Sequence, residues 1–225
     1  MGFAIPKKTD LTTFAKEAVA DFRTIGAVAP SSRYLTQAML GPLPLRKARV
    51  VVEVGPGTGA MTHALLDLLP SDATLLAFEI NPRFSRYLKS NISDSRLVVI
   101  NASAETLPKE MHGRGYEGVD AVVSSLALGL MADRKRRVFL DGLAGVLGEA
   151  GVFTQYQYFH CLQMKNRRIR KFHLARLLEG YFSSVQQRII WRNLPPAFVF
   201  ACRGPLSSGT AKSSVRSNVR LPAPS

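Results

Sequence analysis

The sequence predicts an α/β fold: a seven-stranded, mostly parallel sheet with helices on both faces, preceded by an N-terminal amphipathic helix. Three observations lead there. From Arg49 onward, short β-branched runs alternate with segments of helical periodicity, the pattern of parallel strands joined by covering helices. The first run ends in Glu53-Val-Gly55-Pro-Gly57-Thr-Gly59, a glycine turn of the kind that lets a ligand approach the main chain between a strand and a helix. With 46% hydrophobic residues among 225, the chain can bury a sizeable core, which excludes wholesale disorder.

The elements follow in order. Asp10 to Gly26 reads as the amphipathic helix, with Leu11, Phe14, Ala15, Ala18, Val19, Phe22 and Ile25 at helical spacing, Asp10 as N-cap and Gly26 as stop. Its apolar stripe either packs on the domain or lies on a lipid surface with Lys7, Lys8, Lys16 and Arg23 toward head groups. Arg49–Val54 is the first strand, and a helix follows over Ala60–Leu69. Thr74–Ile80 is the second strand, Pro82–Ser90 a helix, Arg96–Ile100 and Val119–Ser125 the third and fourth strands. Asp133–Leu147 is helical and Gly151–Tyr158 is the fifth strand. A basic helix over Gln163–Leu178 is expected next, then strands over Ser183–Trp191 and Ala197–Cys202. From Gly204 the chain turns to Gly, Pro, Ser and scattered basic residues without an apolar face, the composition of a disordered tail. The expected divisions are therefore 1–30, an N-terminal helical segment; 31–203, the α/β domain; and 204–225, the tail.

Composition narrows the class. No apolar run reaches the ~18–20 residues of a membrane-spanning helix. The N-terminal stretch places Asp10, Glu17 and Asp21 where a signal peptide has its apolar core, so a cytoplasmic protein is expected. Two cysteines, Cys161 and Cys202, are too few for a disulfide framework, and the four histidines show no ligand spacing, so no metal is expected. The charge is lopsided: residues 1–149 carry a net +3 and residues 150–225 a net +11. So one-sided a half points to an anionic partner, either nucleic acid or an acidic membrane.

The glycine turn alone fits several nucleotides. Glu79 sharpens it, because a carboxylate at the end of the second strand can bond both hydroxyls of a ribose, in an NAD-type or an S-adenosyl ligand. Together these residues resemble the class I S-adenosylmethionine-dependent methyltransferases, a Rossmann-like fold whose first motif commonly reads E-x-G-x-G-x-G. The resemblance implies S-adenosylmethionine as cofactor and S-adenosylhomocysteine as product. It places Gly55, Gly57 and Gly59 beside the methionine portion and sugar, and Glu79 on the ribose. Glu53 organises the loop or meets the methionine ammonium, Ser103 and Ala104 stand at the adenine motif, and Ser124 ends the fourth strand beside the cofactor. Ser103 stands where that family usually has an acid.

A closer resemblance spans nearly the whole ordered chain. Gly26-Ala-Val-Ala-Pro30-Ser31-Ser32-Arg33, VVEVGPGTGAMTHALL, VVSSLAL and Asn193-Leu-Pro195-Pro196-Ala197 occur in the order seen in peripheral bacterial phospholipid N-methyltransferases. That implies stepwise methylation of phosphatidylethanolamine toward phosphatidylcholine by an enzyme held peripherally at the inner face of the cell membrane. This chain has Ser124-Ser125-Leu126-Ala127-Leu128 where that family tends to S-G-L-P-L. The rival is the ribosomal RNA adenine dimethyltransferases, which share the glycine start. Their N-[IL]-P-[YF] box after the fourth strand is missing here, which disfavours nucleic acid. A methyltransferase of a quinone or another lipophilic small molecule is a further alternative. Tyr158 is the candidate for orienting the attacking amine, and Tyr34 the second aromatic, suited to a methylated ammonium. Arg33, Lys165, Arg167, Arg168, Arg170 and Lys171 are the candidates for the substrate phosphate or for an anionic membrane, bound reversibly. Arg134, Lys135, Arg136 and Arg137 form a second basic cluster. The oligomeric state stays open.

Overall fold

A computed structural model describes residues 32–158, 162–165, 168–171 and 173–206, with backbone alone for 162–171 beyond Tyr158. The expected N-terminal helix and most of the expected tail lie outside the described residues. Helix α1 (Arg33–Leu40) is capped by Ser32, whose Oγ accepts from the Leu35 amide. Then come β1 (Val50–Val54), α2 (Ala60–Leu66), β2 (Thr74–Phe78), α3 (Pro82–Asn91) and β3 (Leu97–Ile100). A short helix α4 (Leu107–His112), β4 (Val119–Ser124), α5 (Asp133–Val146) and β5 (Leu147–Tyr158) complete the alternation. The chain ends with β6 (Leu162–Lys165), β7 (Arg168–Lys171), α6 (Leu174–Leu178), β8 (Phe182–Ile190) and β9 (Ala197–Pro205).

Seven strands form one sheet in the order β3-β2-β1-β4-β5-β9-β8. β3, β2, β1, β4 and β5 run parallel, and β9 and β8 add an antiparallel edge. Alternation along β1 separates the two faces. Val52 and Val54 join a core with Leu76, Phe78, Phe139, Leu143, Phe153, Leu178 and Phe182, beneath α4, α5 and α6. Glu53 points the other way, toward α2, where Thr62 meets it. Leu35 and Met39 of α1, Leu65 of α2 and Leu88 of α3 are buried as well. The strand order reverses at β1 and β4, so the carboxyl ends of these two strands open a crevice where ligands of such sheets bind.

Three expectations need correction. Residues 163–165 and 168–171 are not helical: β6 and β7 pair antiparallel, with Met164 opposite Ile169 and Lys165 opposite Arg168. Leu162-Gln-Met-Lys and Arg168-Ile-Arg-Lys alternate apolar and polar residues with period two, and five cations in seven residues repel one another on a helix at i,i+3 and i,i+4. Among the described residues of the expected helix, only Leu174–Leu178 is helical. The last strand runs to Pro205 rather than ending at Cys202, because β8 pairs along it as far as Phe182 with Pro205. Helix α4, which the sequence reading left unassigned, packs against α5 at Gly142, where a Cβ would lie 2.9 Å from Pro108 Cγ.

Candidate functional site: a glycine turn between two buried carboxylates

The carboxyl end of β1 turns sharply at three glycines with φ of +74°, +58° and +87°. The Gly55 amide donates to Phe78 O at 2.9 Å, fastening the turn to the end of β2. At Gly59 a side chain is excluded twice over, by the left-handed backbone and by Leu88 Cδ2, 2.8 Å from where a Cβ would stand. The loop backbone is thus left bare toward the crevice.

Glu79 closes the other side. Its Oε2 accepts from the Gly57 amide at 3.0 Å and its Oε1 from the Asn81 amide at 2.8 Å. Burial raises its pKa, while the Asn81 and Gly57 amides oppose that. Each carboxylate oxygen keeps a second lone pair for another donor. Asn101 fixes the neighbouring strand end, with Nδ2 donating to Glu79 O at 2.7 Å and Ile80 O at 3.2 Å. Ile80 itself is 67% exposed, an apolar plate beside the carboxylate.

Glu53 is fully buried, and Thr62 Oγ1 donates to its Oε2 at 2.7 Å. Its Oε1 has no hydrogen-bond partner among the described residues. Burial pushes the carboxyl up to about 7; the Thr62 bond opposes this and the charge of Glu79 adds to it. A buried acceptor left open is costly unless a donor arrives.

The remaining expected residues fall into two groups. Ser103 and Ala104 sit half-buried where β3 gives way to a 3-10 turn, and the Ser103 hydroxyl donates to Glu105 Oε1 at 3.3 Å rather than standing free. Ser124 is fully buried, and its Oγ accepts from the Leu126 amide at 3.2 Å, shaping the loop after β4. Tyr158 is 5% exposed at the end of β5 and meets Tyr156 edge to face, centroids 5.2 Å apart. Tyr34 is on α1, with the Arg33 guanidinium 4.8 Å and the Arg192 guanidinium 5.4 Å from its ring centroid. The side chains of Lys165, Arg168, Arg170 and Lys171, and all of Arg167, lie outside the described residues. In the second basic cluster Arg136 turns inward, with Nη1 donating to Leu128 O at 2.9 Å and Met131 O at 3.1 Å.

Sequence reasoning missed three residues here. Ile80 is signalled only by an apolar residue directly after the acid. Asn101 acts across two strands. Gln155, fully buried opposite Ser124, donates from Nε2 to Leu126 O at 2.8 Å, so it holds the loop after β4 from the next strand.

Two acceptors and an apolar plate around bare backbone match a ribose, an ammonium and a base. Residues 51–151 match the family described as a methyltransferase domain. The order β3-β2-β1-β4-β5-β9-β8 is the arrangement that identifies the fold. This is a class I S-adenosylmethionine-dependent methyltransferase fold. The cofactor of that fold is S-adenosylmethionine, and the residues present fit it: Glu79 would hold the ribose, Glu53 the ammonium and Ile80 the base.

Among curated relatives, the chain is 29% identical to the ornithine lipid N-methyltransferase of Singulisphaera acidiphila, over 80% of this chain and 88% of that one. It is 31% identical to ribosomal RNA small subunit methyltransferase A of Bifidobacterium longum, but over only 40% of this chain and 34% of that one. Among solved structures, 1,6-didemethyltoxoflavin-N1-methyltransferase of Burkholderia thailandensis superposes with a TM-score of 0.57 at 18% identity, over 91% of this chain and 92% of that one. An O-methyltransferase family protein from the same organism gives 0.56 at 15% identity, over 88% and 60%. Among the described residues no group of His, Cys, Asp and Glu could hold a metal ion, and no helix is long and apolar enough to cross a membrane.

Proposed function

We propose that this methyltransferase methylates the amine of a membrane lipid, phosphatidylethanolamine first, stepwise toward phosphatidylcholine, while held reversibly at an anionic membrane surface on the cytoplasmic side. The observation that carries the reading is the loop after β4. Ser124-Ser125-Leu126-Ala127 offers no side-chain amide and no aromatic ring to grip a flipped base, and its one serine at the strand end is spent on the Leu126 amide. The likeness to a lipid N-methyltransferase over four-fifths of the chain supports the same reading. That to the ribosomal RNA enzymes stops at 109 residues. Because the relative's lipid is an ornithine lipid, that amine is the second candidate.

S-adenosylmethionine supplies a methyl group on a sulfonium, open to in-line displacement. The chain's task is alignment and exclusion of water. Gly55, Gly57 and Glu79 fix the donor's position through backbone approach and hydrogen bonding. The loop of Ser125 to Leu128 is held by Ser124, Gln155 and Arg136, so the acceptor enters beside a rigid wall. A lipid ammonium drawn into a drier site next to a positive charge would lose its proton to water more readily, because burial and like charge both disfavour the cation. The freed nitrogen lone pair would form the N–C bond as the S–C bond breaks and the thioether leaves. Tyr158, buried at the end of β5, orients that amine.

The test is transfer of radiolabelled methyl to a panel: phosphatidylethanolamine vesicles with and without anionic lipid, ornithine lipid, ribosomal RNA particles and a quinol. Label in methylated phosphatidylethanolamines is the expected result. Label confined to RNA or to the quinol would overturn the lipid reading.

A further inference from the structure

The turn between β8 and β9 carries features that the cofactor site does not use. Asn193 is buried there and ties the turn to α1, its Oδ1 accepting from the Ser32 amide at 3.3 Å and its Nδ2 donating to Pro195 O at 2.7 Å. This tie brings Arg192 and Arg33 to one ring. The Arg33 guanidinium lies 4.8 Å from the Tyr34 centroid and the Arg192 guanidinium 5.4 Å. Arg33 Nη2 also donates to the Tyr34 hydroxyl at 2.8 Å. Both arginines are exposed, and neither forms an ion pair with a carboxylate among the described residues.

Two like charges held on one aromatic shelf repel each other, so the arrangement gains most when an anion lies between them. A guanidinium carries five N–H donors, so one held beside a ring keeps donors for a phosphate or carboxylate. The shelf lies at the correct end of the sheet. Ala197, which follows the turn and pairs with Ile190 before it, stands beside Tyr158 at the carboxyl end of β5, the end at which the glycine turn leaves β1. Next to the arginines, Trp191 is 68% and Leu194 87% exposed. Large apolar side chains beside cations suit an interface between headgroups and acyl chains rather than open water.

We propose that Arg33 and Arg192, seated on Tyr34, bind the anionic group of the substrate lipid's own headgroup, a phosphodiester or carboxylate, and that Trp191 and Leu194 seat against its apolar part. This rests on the lipid reading above and names what that substrate must carry besides its amine: a fixed negative charge.

Kinetics on the full-length chain in neutral-detergent mixed micelles test it, because no bulk anionic lipid is present. Arg192→Gln and Arg33→Gln are expected to raise KM for phosphatidylethanolamine about tenfold each, the loss of one charge-assisted bond, with kcat and S-adenosylhomocysteine affinity little changed. Arg192→Lys is expected to restore part of the loss. Unchanged KM in neutral micelles, together with weaker binding to anionic vesicles, would overturn the proposal by making the pair a general surface contact. Equal KM for water-soluble glycerophosphoethanolamine would overturn its lipid part. If the parent protein methylates no lipid at all, the proposed function fails instead, a result distinct from either.

Discussion

Glu53 shows how one residue couples the cofactor site to stability. Its folded pKa of about 7 lies above the ordinary 4.5, so the folded chain holds the proton more tightly than the unfolded chain does. The stabilisation this gives is complete below pH 4.5 and is lost as pH rises from there through 7. A shift of that size corresponds to on the order of 3 kcal/mol between the two ends. Glu53→Gln, which cannot ionise, is expected to flatten the fall in cofactor-free melting temperature between pH 5 and pH 8. An arriving ammonium favours the carboxylate, so S-adenosylhomocysteine binding near pH 6.5 is expected to release a proton. Calorimetry in two buffers of different ionisation enthalpy checks this, and equal heats would rule it out. The glycine turn and Glu79 were legible in the sequence because their chemistry is local: bare backbone, then a carboxylate one strand later. That Glu53 has an orphaned oxygen was not legible, since it depends on what the fold packs above it.

Elements teach a different lesson at α5. Its first turn carries Arg134, Lys135, Arg136 and Arg137, which in sequence form one cationic cluster. In the fold Arg136 is 6% exposed and braces the loop after β4 through Leu128 O and Met131 O, with Asp133 Oδ1 2.5 Å from Nη2. Arg136→Met strips two carbonyls and a carboxylate of their donor and is expected to cost about 2–4 kcal/mol in urea unfolding. Arg134→Ser and Arg137→Ser, both exposed, are expected to stay within about 0.5 kcal/mol. Equal effects would mean that the brace contributes nothing. The pair of β6 and β7 shows the same limit from the other side. Its period-two pattern is short and mixed with cations, so a helix and a strand compete until the register of Leu162 with Lys171 is formed.

For the whole molecule, the net charge of +14, most of it beyond residue 150, belongs with a surface rather than with the fold. If the protein docks on anionic lipid through these groups, each is worth on the order of 1 kcal/mol within a Debye length of about 10 Å at 0.1 M salt. Sedimentation with anionic vesicles is therefore expected to fall steeply between 50 and 500 mM salt, while S-adenosylhomocysteine affinity changes little. Vesicle binding indifferent to salt would remove charge as the cause.

By itself the sequence determined the alternation of strands and helices, the glycine turn at the end of β1 and the acid at the end of β2. Each follows from period, turn chemistry and the few residues around it. Only the tertiary structure decided which charges serve the fold and which face outward. It buried Arg136 among its neighbours, and through Asn193 it brought Arg192 to a ring that stands at position 34 of the chain. Contacts between residues some 160 positions apart have no local period to announce them, because they exist only once the sheet has ordered its strands.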